Sequence, residues 1–523
     1  MKTFKLTTTI LLTLFATVVP LIGQVDEPTE PELYTYYIPF SESTYSGAWS
    51  FTLEAAGQDD EPAQIALQGY SAGGAEVFNE ARQIDPNKVF VWRSADAAYN
   101  KRFQSLVLSA NKPLTGILWM TNESDGIFNG VALGADKDAG YLIAPHIPND
   151  KYTWLTSVSV FGVDKGASGS ALHFRRFNPD GVANEGQIRS NLRNGGWYSG
   201  RPYRNIIFGN PEDDERAHWG IIFTDSSNFT LAGYQTFQRL SDENPISCAM
   251  ELRPGEGSPA GMIGFSVHAE INFSEWFAFT NPNDEAVDVR FELSYMPPEA
   301  PKTGDAEDVA EEPESATQTL VKIVRLEPRQ RVVDVLGLTF FEELDGQPYI
   351  LRYHATALDP EVEGEDPMPL PILAMHLQAN VEQTMLGGHQ FVESAGHISY
   401  TWVDLDGPET VIDIFNPTND RARVSATLTD AEGNKLLTLE QLDMDPNGAS
   451  LGLSNFSLKA LLEAEAIEVD TSQPLRLTIK LKNGKGVFTK ITRVSRDAEG
   501  NLRDFAVLNG TMVTPETDVP FRP

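Results

Sequence analysis

The sequence predicts an all-β protein: about four antiparallel β-sandwich domains in tandem, accompanied by one or two short helices. Three observations carry that expectation. Alternating apolar and polar runs, the pattern of strands with one buried face, recur from end to end. Gly, Asn, Asp and Pro punctuate those runs at short intervals. The same order of motifs also returns at spacings of 107, 120 and 126 residues, which is the size of a sandwich domain and not of a solenoid repeat.

Each unit opens on an aromatic or apolar strand, LYTYYIPF, YLIAPHIP, GMIGFSVHA or GGHQFVESA. A Trp-bearing strand follows, at Trp49, Trp154, Trp276 or Trp402. Unit starts near 34, 141, 261 and 387 lead to sandwich units over 24–140, 141–257, 258–386 and 387–523. The stretches GADKDAG, RPGEGSPAG and TMLGG read as the linkers between them.

Within a unit the register is visible. SEWFAFTNPND from Ser274 and ETVIDIFNPTND from Glu409 align on their Asn-Pro pairs, with Val289 and Val424 both at +8 and Leu293 and Leu428 both at +12. An alternating strand thus enters Asn-Pro, turns, and resumes as in a hairpin or meander. The resumed strand ends in a second turn, and FELSYMPP, ATLTDAEGN, LHFRRFNPDG and IALQGYSAGG place four different turn sequences in one slot.

The pentapeptide DAEGN occupies that slot at Asp430–Asn434 and recurs at Asp497–Asn501. It reads as turn chemistry, because Gly supplies the positive φ angle and the short polar side chains bond their own backbone. A calcium loop needs more carboxylates at alternate positions than Asp430 with Glu432, or Asp497 with Glu499, provide.

Late in each unit comes a pair of strands, such as SLVLSANKPLTGILWM or LRLTIKLKNGKGVFTKITRV, the latter with Asn483-Gly484 as its hairpin turn. One helix is expected over LKALLEAEAI from Leu458, with Ser457 as N-cap, and VVDVLGLTFFEEL from Val332 reads as a shorter equivalent. Two acidic insertions in the third unit, EAPKTGDAEDVAEEPESATQ from Glu299 and DPEVEGEDPMPLP from Asp359, lack the apolar residues needed to offset ordering, and read as solvated loops.

The sequence of strand, aromatic, Asn-Pro turn, alternating strand, Gly turn and late helix resembles the tandem Ig-like β-sandwich repeats of secreted bacterial proteins whose functions are mostly unassigned. The resemblance covers most of the chain beyond residue 23 and rests on structural motifs. It implies a fold and an extracellular setting, and it carries no catalytic residue over. The first two units depart from the Asn-Pro pattern.

The first 23 residues, with Lys2 and Lys5 ahead of an apolar run from Ile10 to Ile22, read as a secretory signal peptide. The expected location is therefore extracellular or periplasmic, with no transmembrane segment once that peptide is removed. The formal charge of −34 becomes −36 without the two leader lysines, which disfavours nucleic acid and anionic membranes as partners. A protein or glycan partner is expected instead. With Cys248 as its single cysteine the chain can form no intramolecular disulfide, and that residue reads as a small buried apolar group.

Candidate chemistry is sparse, and the expected protein is not an enzyme. GASGSA, Gly166–Ala171, would make Ser168 the nucleophile of a serine hydrolase, but His146 is then the only upstream histidine, and it lies in a unit-opening strand. His389 and His397 would stand about 26 Å apart if extended, so no histidine metal site is expected. A structural calcium ion is the only cofactor considered. For glycan binding two clusters stand out. NGGWYSGRPY offers Trp197, Tyr198, Arg201 and Tyr203 for ring stacking and polar contacts. TWVDLD would align Trp402, Asp404 and Asp406 on one strand face, the carboxylates about 7 Å apart. As a glycosidase pair they lack an identifiable partner of raised pKa.

Overall fold

A computed structural model describes residues 33–513, except the stretches 40–48, 59–60, 95–104, 123–126, 134–139, 148–153, 165–168, 201–216, 240–247, 255–256, 267–272, 296–316, 336–347, 358–367, 381–385 and 449–451 and positions 72, 87 and 228. The stretch 1–23, both acidic insertions over most of their length, and Ser168, Arg201 and Tyr203 lie outside the described residues. Residues from Tyr34 onward form one compact unit.

The described chain is all-β, with eight antiparallel sheets that pair into four sandwiches. The first sandwich contains β1 (Tyr34–Pro39), β2 (Trp49–Gly57), β3 (Ala63–Tyr70), β4 (Glu76–Ile84), β5 (Phe90–Arg93), β6 (Ser105–Ala110), β7 (Leu114–Asn122) and β8 (Ile127–Ala132). The second contains β9 (Tyr141–Ile147), β10 (Trp154–Asp164), β11 (Ser170–Phe177), β12 (Ala183–Leu192), β13 (Gly196–Gly200), β14 (His218–Thr224), β15 (Phe229–Arg239), β16 (Cys248–Glu251) and the short β17 (Arg253–Pro254).

The third is built from β18 (Ala260–Phe265), β19 (Phe273–Thr280), β20 (Val287–Tyr295), β21 (Gln318–Leu326), β22 (Arg331–Val335), β23 (Tyr349–Ala357), β24 (Leu373–Asn380) and β25 (Leu386–Gln390). The fourth has β26 (Ile398–Val403), β27 (Glu409–Phe415), β28 (Ala422–Thr429), β29 (Lys435–Met444), β30 (Leu453–Ser454), helix α1 (Asn455–Ala464), β31 (Leu475–Asn483), β32 (Phe488–Arg496), β33 (Leu502–Asn509) and β34 (Thr511–Val513).

One topology repeats four times. Counting from each sandwich's own first strand, strands one, six, three and four form one sheet, and strands five, two, seven and eight the other. Inward residues of the two sheets make the core, as with Tyr36, Phe51, Ile65, Leu106 and Leu118 in the first sandwich and Phe277, Phe279, Val289, Phe291 and Leu351 in the third. The positions aligned by sequence, Val289, Leu293, Val424 and Leu428, are all buried.

Several expected connections differ. The Asn-Pro turns join strands two and three, which belong to different sheets, so they are arches and not hairpins. Their asparagines are buried staples: the Asn281 amide donates to the carbonyls of Glu285, Leu326 and Glu327, and that of Asn416 to those of Asp420 and Asp445. Asn483-Gly484 likewise carries the chain from β31 to β32 in the opposite sheet. Alternation reports a buried face but not which sheet supplies it. The stretch GGHQ forms β25 and completes the third sandwich, so the fourth opens on β26, and Trp402 sits on a first strand where Trp49, Trp154 and Trp276 sit on second strands.

Helix α1 begins three residues before the expected start. Its N-cap is Ser454, whose hydroxyl accepts from the Ser457 amide while the Ser457 hydroxyl accepts from the Ser454 amide. The expected cap Ser457 is thus the reciprocal member of a capping box. Val332–Val335, expected as helix, is strand β22, consistent with its β-branched residues.

Both DAEGN segments are closed turns. In Ser71–Ala75, Asn178–Val182, Asp430–Asn434 and Asp497–Asn501, the first amide donates to the fifth carbonyl, and the fourth amide donates back to the first carbonyl. The first side-chain oxygen also accepts from the fifth amide. The fourth residue is Gly each time, with φ of 84, 83, 87 and 86°. YSAGG, FNPDG and both DAEGN copies are one turn, and in DAEGN both Asp oxygens are engaged by the closing Asn.

The sandwiches also contact one another in cyclic order. At every junction the one-six-three-four sheet of one sandwich packs on the five-two-seven-eight sheet of the next. Tyr37 and Tyr70 meet Phe161; Ile143, Phe177 and Trp219 meet Leu373; Met262 and Ile350 meet Phe415 and Phe488; Tyr400 and Trp402 join a cluster with Ala56, Ile117 and Trp119. The last contact returns from the fourth sandwich to the first. The turn between strands three and four touches the next sandwich near its fifth strand: Gly73 bridges to Gly196, Pro179 accepts from the Arg331 amide, and Ala431 accepts from the Val89 amide. In the third sandwich the acidic insertion takes that turn's place, and Thr317 at its end bonds the Pro446 carbonyl. The eighth strands, β8, β16, β25 and β33, meet one another, and a side chain at Gly387 would strike Phe505 at 2.3 Å.

Candidate functional site

The sequence candidates resolve onto the junctions between sandwiches. Trp197 and Tyr198 lie on edge strand β13, pointing to opposite faces. Tyr198 packs on the core of the second sandwich, and burial pushes its hydroxyl up to about 12. Trp197 is 8% exposed, opposite Phe161, on the face that meets the first sandwich. Its carbonyl accepts from Arg189, and a side chain at the neighbouring Gly195 would strike Tyr70 at 2.4 Å. A stacking surface needs exposed rings; here the first sandwich covers the Trp197 face of the strand, and the second sandwich's own core takes Tyr198.

TWVDLD is divided as well. The strand ends at Val403, so Asp404 and Asp406 lie in the following turn and the two-residue alternation does not extend to them. Trp402 is 4% exposed within the cluster shared by the fourth and first sandwiches. Asp406 pairs with Lys459 of α1 at 2.6 Å, which holds its carboxyl below the usual range.

Asp404 belongs to a group that sequence reasoning missed. Its Oδ2 is 3.6 Å from the Arg493 guanidinium, which lies 4.2 Å over the Trp119 ring, and the Trp119 indole donates to Glu54 Oε2 at 3.0 Å. Burial raises the Glu54 pKa, with Arg493 opposing, and lowers that of Arg493, with Glu54 and Asp404 opposing. Carboxylates from two sandwiches thus share one cation across the closing junction.

Of the hydrolase candidates, His146 is among the described residues. His146 on β9 is 7% exposed and is bonded by Arg331, which also donates to the His218 carbonyl at 2.6 Å. Burial brings Arg331 down to about 9. The ordinary place for His146 is therefore the second-to-third junction. His389 faces His376 across β25 and β24, ring centroids 5.1 Å apart, and burial depresses both, His389 to about 3. His397 lies beyond the end of that sandwich, its amide bonded to the Val513 carbonyl. Among the described residues no group of three or more His, Cys, Asp or Glu lies together in a metal-binding arrangement. The backbone of Cys248 is in β16, and its side chain lies outside the description.

A second missed group lies at the third-to-fourth junction. Asp413 and Lys490 are direct register partners on β27 and β32, with Nζ 3.7 Å from Oδ2 and both side chains 2% exposed. Lys490 donates to Ser266 Oγ at 3.1 Å, and the Ser266 hydroxyl donates to Asp413. The available signal is a charge among apolar strand residues: Asp413 in VIDIF, Glu54 in FTLEA, and Lys490 and Arg493 together in FTKITRVSR.

Comparison with protein-family models and with curated proteins gives no match to the chain. The fold and these junctions define the class: a tandem β-sandwich protein whose repeats pack cyclically.

Proposed function

We propose that the chain is an exported, non-catalytic scaffold and interaction protein that works outside the cytoplasm with a protein partner. The observation that carries this reading is the use of the candidate residues. Trp197, Trp402, His146, Asp404 and Arg493 all sit at contacts between sandwiches. The leader-like first 23 residues, the acidic balance and the single cysteine support export. No described helix is long and apolar enough to cross a membrane. Among the described residues, Val321 and Ile323 on the edge strand β21 are exposed.

The test has two parts. Cell fractionation with N-terminal sequencing is expected to find the chain outside the cytoplasm beginning near Gln24; a cytoplasmic chain retaining Met1 would overturn export. Purified chain on a panel of glycans and bacterial polysaccharides, with calcium or with chelator, is expected to show no saturable binding. Saturable binding in either condition would replace the scaffold reading with a lectin-like one.

A further inference from the structure

Described ion pairs such as Arg423 with Asp443 and Lys485 with Asp420 stand in solvent, where ions keep their hydration. Lys490 and Asp413 are both buried, walled by Phe265 and Phe415, whose ring centroids lie 5.3 and 5.8 Å from Nζ. Two ions in so apolar a site are costly, and transfer of one proton from amine to carboxylate removes both charges at once. The result is a primary amine against a carboxylic acid, held in register by neighbouring strands, with one hydroxyl contacting both.

We propose that Lys490 and Asp413 condense to an intramolecular amide that cross-links β27 to β32. The proton of the Lys490 ammonium passes to the Asp413 carboxylate, directly or through the Ser266 hydroxyl. The Nζ lone pair then bonds Cγ, and the carbonyl electron pair moves onto oxygen, stabilised by the hydrogen bond from Ser266. A proton from nitrogen moves to the departing hydroxyl, the C–OH bond breaks with its electrons on oxygen, and one water leaves. Amine plus acid gives amide plus water, with no oxidant or other reactant. Bulk water favours the reverse reaction; a dry site and fixed proximity favour the bond. The cross-link supplies a covalent tie to a chain whose single cysteine can form no internal disulfide. Ser266 comes from the third sandwich, so its alignment depends on junction packing, and it is a positioning residue for the step.

Mass spectrometry of the purified, denatured chain tests this, with a proteolytic map. The expected result is a mass one water below that of the sequence, and a branched peptide joining the Asp413 and Lys490 segments. Lys490→Arg keeps a cation at the site but offers no acylable amine, so it is expected to recover the full mass and to melt at a lower temperature. In refolded protein, Ser266→Ala is expected to slow the appearance of the branched peptide. Full mass in the wild type, with separate linear peptides after prolonged incubation, would leave an ion pair only and overturn the cross-link. An unchanged rate in Ser266→Ala would overturn the role given to that hydroxyl.

Discussion

The histidines of β24 and β25 couple stability to acid. Burial holds His376 well below its usual value and His389 near 3. A group with a depressed folded pKa that is cationic when protonated binds fewer protons folded than unfolded between the two values. Its stabilising contribution is therefore complete above the unfolded value of 6.5 and declines as pH falls toward about 3. Unfolding free energy should drop by about 1.4 kcal/mol per pH unit for each such histidine across that window. Denaturant titrations at pH 7, 6 and 5 measure the slope, and His389→Gln should reduce it; an unchanged slope would locate the proton uptake elsewhere. Neither histidine's environment was legible in the sequence. The nearest histidine to His389 in the chain is His397, but its partner in space is His376, set by strand pairing.

The elements were more legible, and the five-residue Gly turns most of all, because their chemistry is local; the Asn-Pro and Asn483-Gly484 connections, which join different sheets, were not. A five-residue turn needs a short polar side chain first and a Gly at positive φ fourth, and both requirements can be read from four letters. What those letters omit is what the turn touches. Gly500 has open space around it, so Gly500→Ala should cost only the left-handed backbone strain, about 1 to 2 kcal/mol. Gly181 has the same φ, but a side chain there would lie 2.6 Å from the Pro328 carbonyl of the third sandwich. Gly181→Ala should therefore cost measurably more in the same denaturant assay, and equal costs would mean that the turn does not dock. The helix makes a similar contrast. Ser454→Ala should lower stability by about 1 kcal/mol as loss of an N-cap, whereas Ser457→Ala removes the bonds of the Ser457 hydroxyl to the Ser454 amide and carbonyl but keeps the N-cap bond, and should cost less.

At the scale of the whole molecule, the four sandwiches depend on one another. Trp119 of the first is 5% exposed; it bonds Glu54 within its own sandwich and lies under Arg493 of the fourth. Trp119→Ala should destabilise by about 3 to 5 kcal/mol, as for other large aromatic truncations in cores. Hydrogen exchange should show lost protection in both sandwiches. Loss confined to the first would mean that the closing junction contributes little.

Legible in the sequence alone were the class of fold, the repeat, the aligned buried positions after the Asn-Pro pairs and the five-residue Gly turns. All of these follow from interactions among residues a few positions apart and from the two-residue period of a half-buried strand. Only the tertiary structure decided which sheet each strand joins, where the fourth sandwich begins, and that Trp197 and Trp402 are covered. An apolar or aromatic residue on the outer face of a sheet looks the same in sequence whether water, a ligand or another sandwich lies against it. Here another sandwich does, because the fourth repeat returns to the first.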